Sequence, residues 1–126
     1  MNPHKVKNLT SMSGADRFDY FVRKVADFHA VWGLHNEGWA TAATDEGAMT
    51  IAFWPEEDAA LLCATSEWSG YTPKKIELSA FLEAWLPGMK RDKVSVAVFP
   101  IPGDKGVVIT PDQMRDYLET ESSQYE

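Results

Sequence analysis

Short apolar runs in this chain come in neighbouring pairs, joined by glycine-bearing turns and not by helices, and this constrains the fold more than any other feature. Val31-Trp32-Gly33-Leu34 is followed by His35-Asn36-Glu37-Gly38 and then by Trp39 to Ala43; Thr44-Asp45-Glu46-Gly47 leads on to Met49-Thr50-Ile51-Ala52-Phe53-Trp54. Later, Val94 to Phe99 and Gly106-Val107-Val108-Ile109 flank the turn Pro102-Gly103-Asp104-Lys105. Turns this short join antiparallel neighbours, because a parallel pair needs a crossover of about a dozen residues or more. The first three runs therefore predict an antiparallel meander. Val94, Val96 and Val98 alternate onto one face of a further strand. Lys74 to Leu78, opened by Pro73, reads as a short edge strand.

Helical spacing fills the gaps. Ser13 can cap a helix with Asp16 in a capping-box position, and Phe18, Phe21, Val22, Val25 and Ala26 then share a face, leaving Arg17, Asp19, Arg23, Lys24 and Asp27 to the other. Pro55 suits the first position of a second helix, whose start carries Glu56, Glu57 and Asp58 and whose apolar face carries Ala59, Leu62 and Cys63; Ser66 to Gly70 end it. Ser79 caps a third with Phe81, Leu82, Trp85 and Leu86, bent or stopped at Pro87-Gly88. Thr110, Pro111 and Gln113 give the strongest start signal, a capping box with Ile109 able to staple to Met114.

The order is α-β-β-β-α-(β)-α-β-β-α. It predicts an α+β fold: a mainly antiparallel sheet built from hairpins and a meander, with about four helices packed on it. Residues 1–12 read as a flexible N-terminal arm and 13–126 as a single α+β domain. At 126 residues and 44% hydrophobic, the chain has enough apolar material for one core, which excludes disorder as the main state. Its longest clean apolar run, Ala59-Ala60-Leu61-Leu62-Cys63-Ala64, is far shorter than the ~20 residues of a membrane span.

Twelve basic against nineteen acidic side chains give a net charge of −7. That balance works against nucleic acid, whose affinity comes from Lys and Arg displacing counterions; Lys90, Arg91 and Lys93, with Lys74 and Lys75, read as solvated turn charges. It suits a basic protein partner. A single cysteine, Cys63, precludes an intramolecular disulfide, and Met1 to Ser13 lacks the apolar stretch of a secretory signal, so the expected compartment is the cytoplasm.

No constellation for catalysis or metal binding stands out. His29 and His35 are six apart, which is not metal-ligand spacing, and His4 sits in the arm. Cys63 lies on an apolar helix face behind an acidic start, a setting for a structural thiol and not a nucleophile. Glu56-Glu57-Asp58 and Asp45-Glu46 are explained by a helix start and a turn, whereas paired acid–base carboxylates face each other from separate elements. No cofactor and no metal are expected.

Aromatic content is the unusual feature, with five Trp, four Tyr and six Phe. Trp and Tyr supply anchors at binding sites. Glu67-Trp68-Ser69-Gly70-Tyr71 sits in a polar loop, where Trp68 either folds back on the core or faces a partner. Trp39, Trp54 and Trp68 are positioned to line one groove, while Trp85 belongs to a core face. The candidate binding residues are thus Trp39, Trp54, Glu67, Trp68 and Tyr71.

Taken together, Trp32-Gly33-Leu34, Glu37-Gly38-Trp39-Ala40, Trp54-Pro55, Trp68-Ser69-Gly70-Tyr71, Phe81-Leu82-Glu83-Ala84-Trp85-Leu86-Pro87-Gly88, Val96-Ala97-Val98-Phe99-Pro100 and Gly106-Val107-Val108 resemble the bacterial family called domain of unknown function 2750. The closing Pro111-Asp112-Gln113-Met114 departs slightly from that family's P-x-x-L ending. The resemblance implies a small stand-alone bacterial protein and brings no catalytic residue or cofactor with it.

Three readings follow. The first is a non-catalytic protein that binds another protein or a ligand. The second is a small enzyme or small-molecule sensor with a Trp-lined cleft, using Glu67, Tyr71 or His35 as polar groups. The third, compatible with either, is a homodimer formed through the edge near Lys74 to Leu78 or through an aromatic patch.

Overall fold

The structure, a computed structural model, describes residues 3–124; Met1, Asn2, Tyr125 and Glu126, at the ends of the expected arm and domain, lie outside the described residues. Helix α1 (Pro3–Ser11) leads into α2 (Gly14–Phe28), then β1 (Ala30–His35), β2 (Thr41–Ala43), β3 (Met49–Phe53), α3 (Glu57–Leu62) and a 3-10 turn at Ser66–Trp68. β4 (Thr72–Glu77) runs into α4 (Leu78–Ala80), a π-helical turn (Phe81–Trp85) and α5 (Leu86–Arg91); β5 (Ser95–Val98), β6 (Val107–Ile109) and α6 (Pro111–Ser123) complete the order.

The fold is α+β, but its strands pair differently from a meander. One sheet has the order β2-β3-β5-β6 and a second, two-stranded one the order β1-β4. β2–β3 and β5–β6 are antiparallel, as their short turns demand, and β1–β4 is antiparallel too, whereas β3 and β5 are parallel. The chain between β3 and β5 supplies the crossover that a parallel pair requires. β1 therefore does not lie along β2. Isolated bridges, His35 to Trp39 and Trp32 to Trp54, and the Ala40 N–H bonded to the Leu34 carbonyl at 2.9 Å tie it to the segments flanking the other sheet. β5 is central, and Val96, Ala97 and Val98, followed by Phe99, are all buried, so the expected one-sided alternation gives way to a strand with low exposure at every position.

Local chemistry explains the helix ends. The Ser13 hydroxyl accepts from the Asp16 N–H, and Thr110 and Gln113 form both bonds of a capping box. Pro55 is not the first residue of α3, as expected from sequence; it is buried, and Glu56 occupies the cap. The helix expected to begin at Ser79 and to bend or stop at Pro87 begins at Leu78 and continues to Arg91. Pro87 has no N–H to give the preceding turn and its ring crowds that turn's carbonyl; the wider π turn, with the Leu86 N–H bonded to the Phe81 carbonyl, accommodates it.

Two further expectations are corrected. The arm contains α1 over residues 3–11: Leu9 is 3% exposed in the core, and Lys5 Nζ lies 3.0 Å from Glu56 Oε1. Arg17, assigned by its charge to the outer face of α2, is 1% exposed. It stands one helical turn before Phe21 and two before Val25, so spacing puts it on the buried face whatever its charge. Its Nε donates to the Phe99 carbonyl at 3.0 Å and its Nη1 to the Met12 carbonyl at 2.8 Å, while Nη2 lies 3.2 Å from Asp104 Oδ2. These bonds join α2 to the loop after β5.

Candidate functional site

The two faces of the four-stranded sheet differ in side-chain size. Paired residues share a face. The register thus puts Ile51, Val96 and Ile109, with Phe53, Val98 and Val107, on one side, and Ala42, Thr50 and Ser95, with Ala52, Ala97 and Val108, on the other. The bulky side belongs to the core, where Phe53 meets Phe81 and Trp85 edge-on. The small side leaves room above it. A cleft of about 590 Å³ stands there, floored by Ala42, Thr50, Ala52, Ala97 and Val108. This volume lies within the range of small-molecule sites, about 300–1,000 Å³.

Three segments wall the cleft. Thr65, Ser66, Glu67 and Trp68 come from the turn after α3, Pro100 to Gly106 from the loop between β5 and β6, and Thr44 and Asp45 from the β2–β3 turn. Each is held from below. The indole N–H of Trp54 and the thiol of Cys63 both donate to the Pro100 carbonyl, at 2.8 and 3.2 Å. Trp68 stands edge-on to Trp54, with ring centroids 5.8 Å apart. Asp104 accepts from the Gly106 N–H at 2.8 Å, and Gly106 has a positive φ of 80°. A Cβ at Gly106 would overlap the Val98 carbonyl, so this hairpin needs glycine there. Lys105 Nζ bridges the open side, 3.6 Å from Asp45 Oδ1 and 3.5 Å from the Ala43 carbonyl.

Most of the charge at the cleft is already paired. Hydrogen bonding from the Gly106 N–H, helped by the Arg17 guanidinium, holds the Asp104 carboxyl below the usual carboxylate range. Burial pushes the Cys63 thiol up to about 11, so the neutral form dominates at physiological pH. Glu67 makes no hydrogen bond or ion pair among the described residues. No three His, Cys, Asp or Glu among the described residues are grouped to hold a metal ion.

Of the five residues singled out from sequence, the structure brings Glu67 and Trp68 to the cleft wall. Trp54 is 0% exposed and acts beneath the wall, as the donor to Pro100. Trp39 is elsewhere, with its ring centroid 4.8 Å from those of His35 and Trp85. Half-buried Tyr71 packs against the core and does not line the cleft. The structure does not bring Trp39 together with Trp54 and Trp68: its ring packs over Gly33 of β1 and against Trp85. Sequence reasoning missed the floor. Its signal was the alternation of small with bulky residues, Thr50-Ile51-Ala52-Phe53 and Val96-Ala97-Val98.

A family model described as "Protein of unknown function (DUF2750)" matches residues 18–118, from α2 into α6 and so across both sheets. The chain belongs to this family. No curated protein and no solved structure matches the chain. The residues that carried the family resemblance have structural roles here. Gly33 of the W-G-L stretch lies under Trp39 of E-G-W-A, and an added Cβ would come within 2.9 Å of two ring atoms. Trp54 and Pro55 are buried at the end of β3, and the F-L-E-A-W stretch is the π turn before Pro87.

Proposed function

We propose that this chain is a small-molecule-binding protein whose ligand occupies the cleft above the small-residue face of the sheet. The observation that supports this most is the sheet face itself. Five residues, none larger than valine, floor a volume of about 590 Å³, and an aromatic ring and charged groups stand only on its walls. Such a site, apolar below with a few polar groups at the edge, is what small-molecule pockets share. Binding fits the lining better than catalysis does. Cys63 is neutral, Asp104 is committed to Gly106 and Arg17, and Lys105 is beside Asp45. Among the described residues no helix is long and apolar enough to cross a membrane. We place the protein in the bacterial cytoplasm, a reading supported by its single cysteine.

The test is an amide and methyl NMR titration with a small-fragment library. Saturable shifts should gather at Ala42, Ala52 and Ala97, with the Trp68 indole N–H among them. Ala42→Phe, which fills the cleft from the edge strand β2, should abolish them while the protein stays folded. Saturable binding confined to another surface, or undiminished in Ala42→Phe, would refute the proposal.

A further inference from the structure

Resting on that reading, we infer that the cleft takes an organic cation, with an ammonium head at Glu67 and Trp68 and an apolar body on the alanine floor. The lining carries Asp45, Glu67 and Asp104 against a single Lys105. Pairing leaves one of these acids over. Lys105 lies beside Asp45 at 3.6 Å, and Asp104 lies 3.2 Å from Arg17, which leaves Glu67 as the lining charge without a partner among the described residues. The next residue, Trp68, is half-buried in the same wall, held edge-on by Trp54. An indole face attracts cations through its quadrupole, and a carboxylate beside it adds a charge-assisted hydrogen bond to an N–H donor. An anion would find a single lining cation, Lys105, with the Asp45 carboxylate 3.6 Å from it. A neutral apolar molecule would use the floor but leave Glu67 unused. The floor residues Ala42, Ala52, Ala97 and Val108 offer no hydrogen-bonding side chain, so the ligand's body is hydrocarbon-like, with Thr50 committed to the Ala42 carbonyl at 2.9 Å.

The experiment compares three probes with the same six-carbon body on the full chain: n-hexylammonium, 1-hexanol and hexanoate. Affinities are read from NMR shifts of the floor methyls and the Trp68 indole N–H. n-Hexylammonium should bind about five- to ten-fold more tightly than 1-hexanol, and hexanoate more weakly than either. Glu67→Gln, at an exposed position whose loss leaves no buried group unpaired, should erase the advantage of the ammonium over 1-hexanol. Added salt should weaken the ammonium probe alone. Equal binding of ammonium and alcohol, or an ammonium preference that survives Glu67→Gln, overturns the cation inference while leaving the cleft in place. If none of the three probes gives saturable shifts at the floor, the cleft reading fails and the inference falls with it.

Discussion

Replacing Arg17 with Met separates two accounts of why a charge lies in this core. The guanidinium is 1% exposed and gives charge-assisted bonds to the carbonyls of Phe99 and Met12, at 3.0 and 2.8 Å. Met keeps much of the aliphatic stem and removes both donors. Each lost bond to a charged group is worth about 1.5–3 kcal/mol, and the Phe99 carbonyl is stranded in a buried segment whose backbone is already left-handed at φ 51°. Against this, removing a buried charge recovers part of its desolvation cost. The carbonyls remain without partners, so the loss wins, and Arg17→Met should destabilise by about 2–4 kcal/mol. The ion pair contributes little, because the Asp104 side chain is 50% exposed and water takes over its solvation. Asp104→Asn, whose amide oxygen can still accept from Gly106, should cost less than about 1 kcal/mol. Urea unfolding followed by tryptophan fluorescence reads both. With a slope of about 1.5 kcal/mol/M, the Arg17→Met midpoint should fall by about 1.3–2.7 M and that of Asp104→Asn by under about 0.7 M. If Arg17→Met unfolds at the wild-type midpoint, or Asp104→Asn costs as much as Arg17→Met, the reasoning is refuted.

Two other predictions do not require a ligand in the cleft. Gly33→Ala forces the Trp39 ring off β1 and should cost about 1–3 kcal/mol in a thermal melt; the cost should largely vanish in a Trp39→Ala background, and a penalty unchanged there would contradict the contact. Stability should also decline on the alkaline side: the unfolded Cys63 thiol ionises near 9.0 and the folded one near about 11, so its contribution is complete below pH 9 and is lost as pH rises towards 11, with Tyr20, raised to about 12 by burial and by Glu56, acting in the same direction. Cys63→Ala should flatten that decline in chemical denaturation between pH 8 and 10.5, and an identical slope in the variant would count against a buried neutral thiol.

Sequence by itself determined what depends on neighbours along the chain. Ser13 and the Thr110–Gln113 box set helix starts, because a cap needs only a hydroxyl and an N–H three residues on. The Pro102–Gly106 turn sets the β5–β6 hairpin, and the spacing of motifs from Trp32 to Val108 carries the family. Tertiary structure decided which strand lies beside which. β1 reads the same whether its partner is β2 or β4, since its apolar residues specify burial and not a neighbour. The parallel β3–β5 pairing puts Ala52 beside Ala97, far apart in sequence, and so builds the floor. The same packing brings the Phe99 carbonyl to Arg17, across 82 positions of chain, and makes a residue that composition assigns to solvent a tie within the core. Local chemistry names elements; the cleft arises from contacts between elements, whose register is set by side chains filling space together in three dimensions.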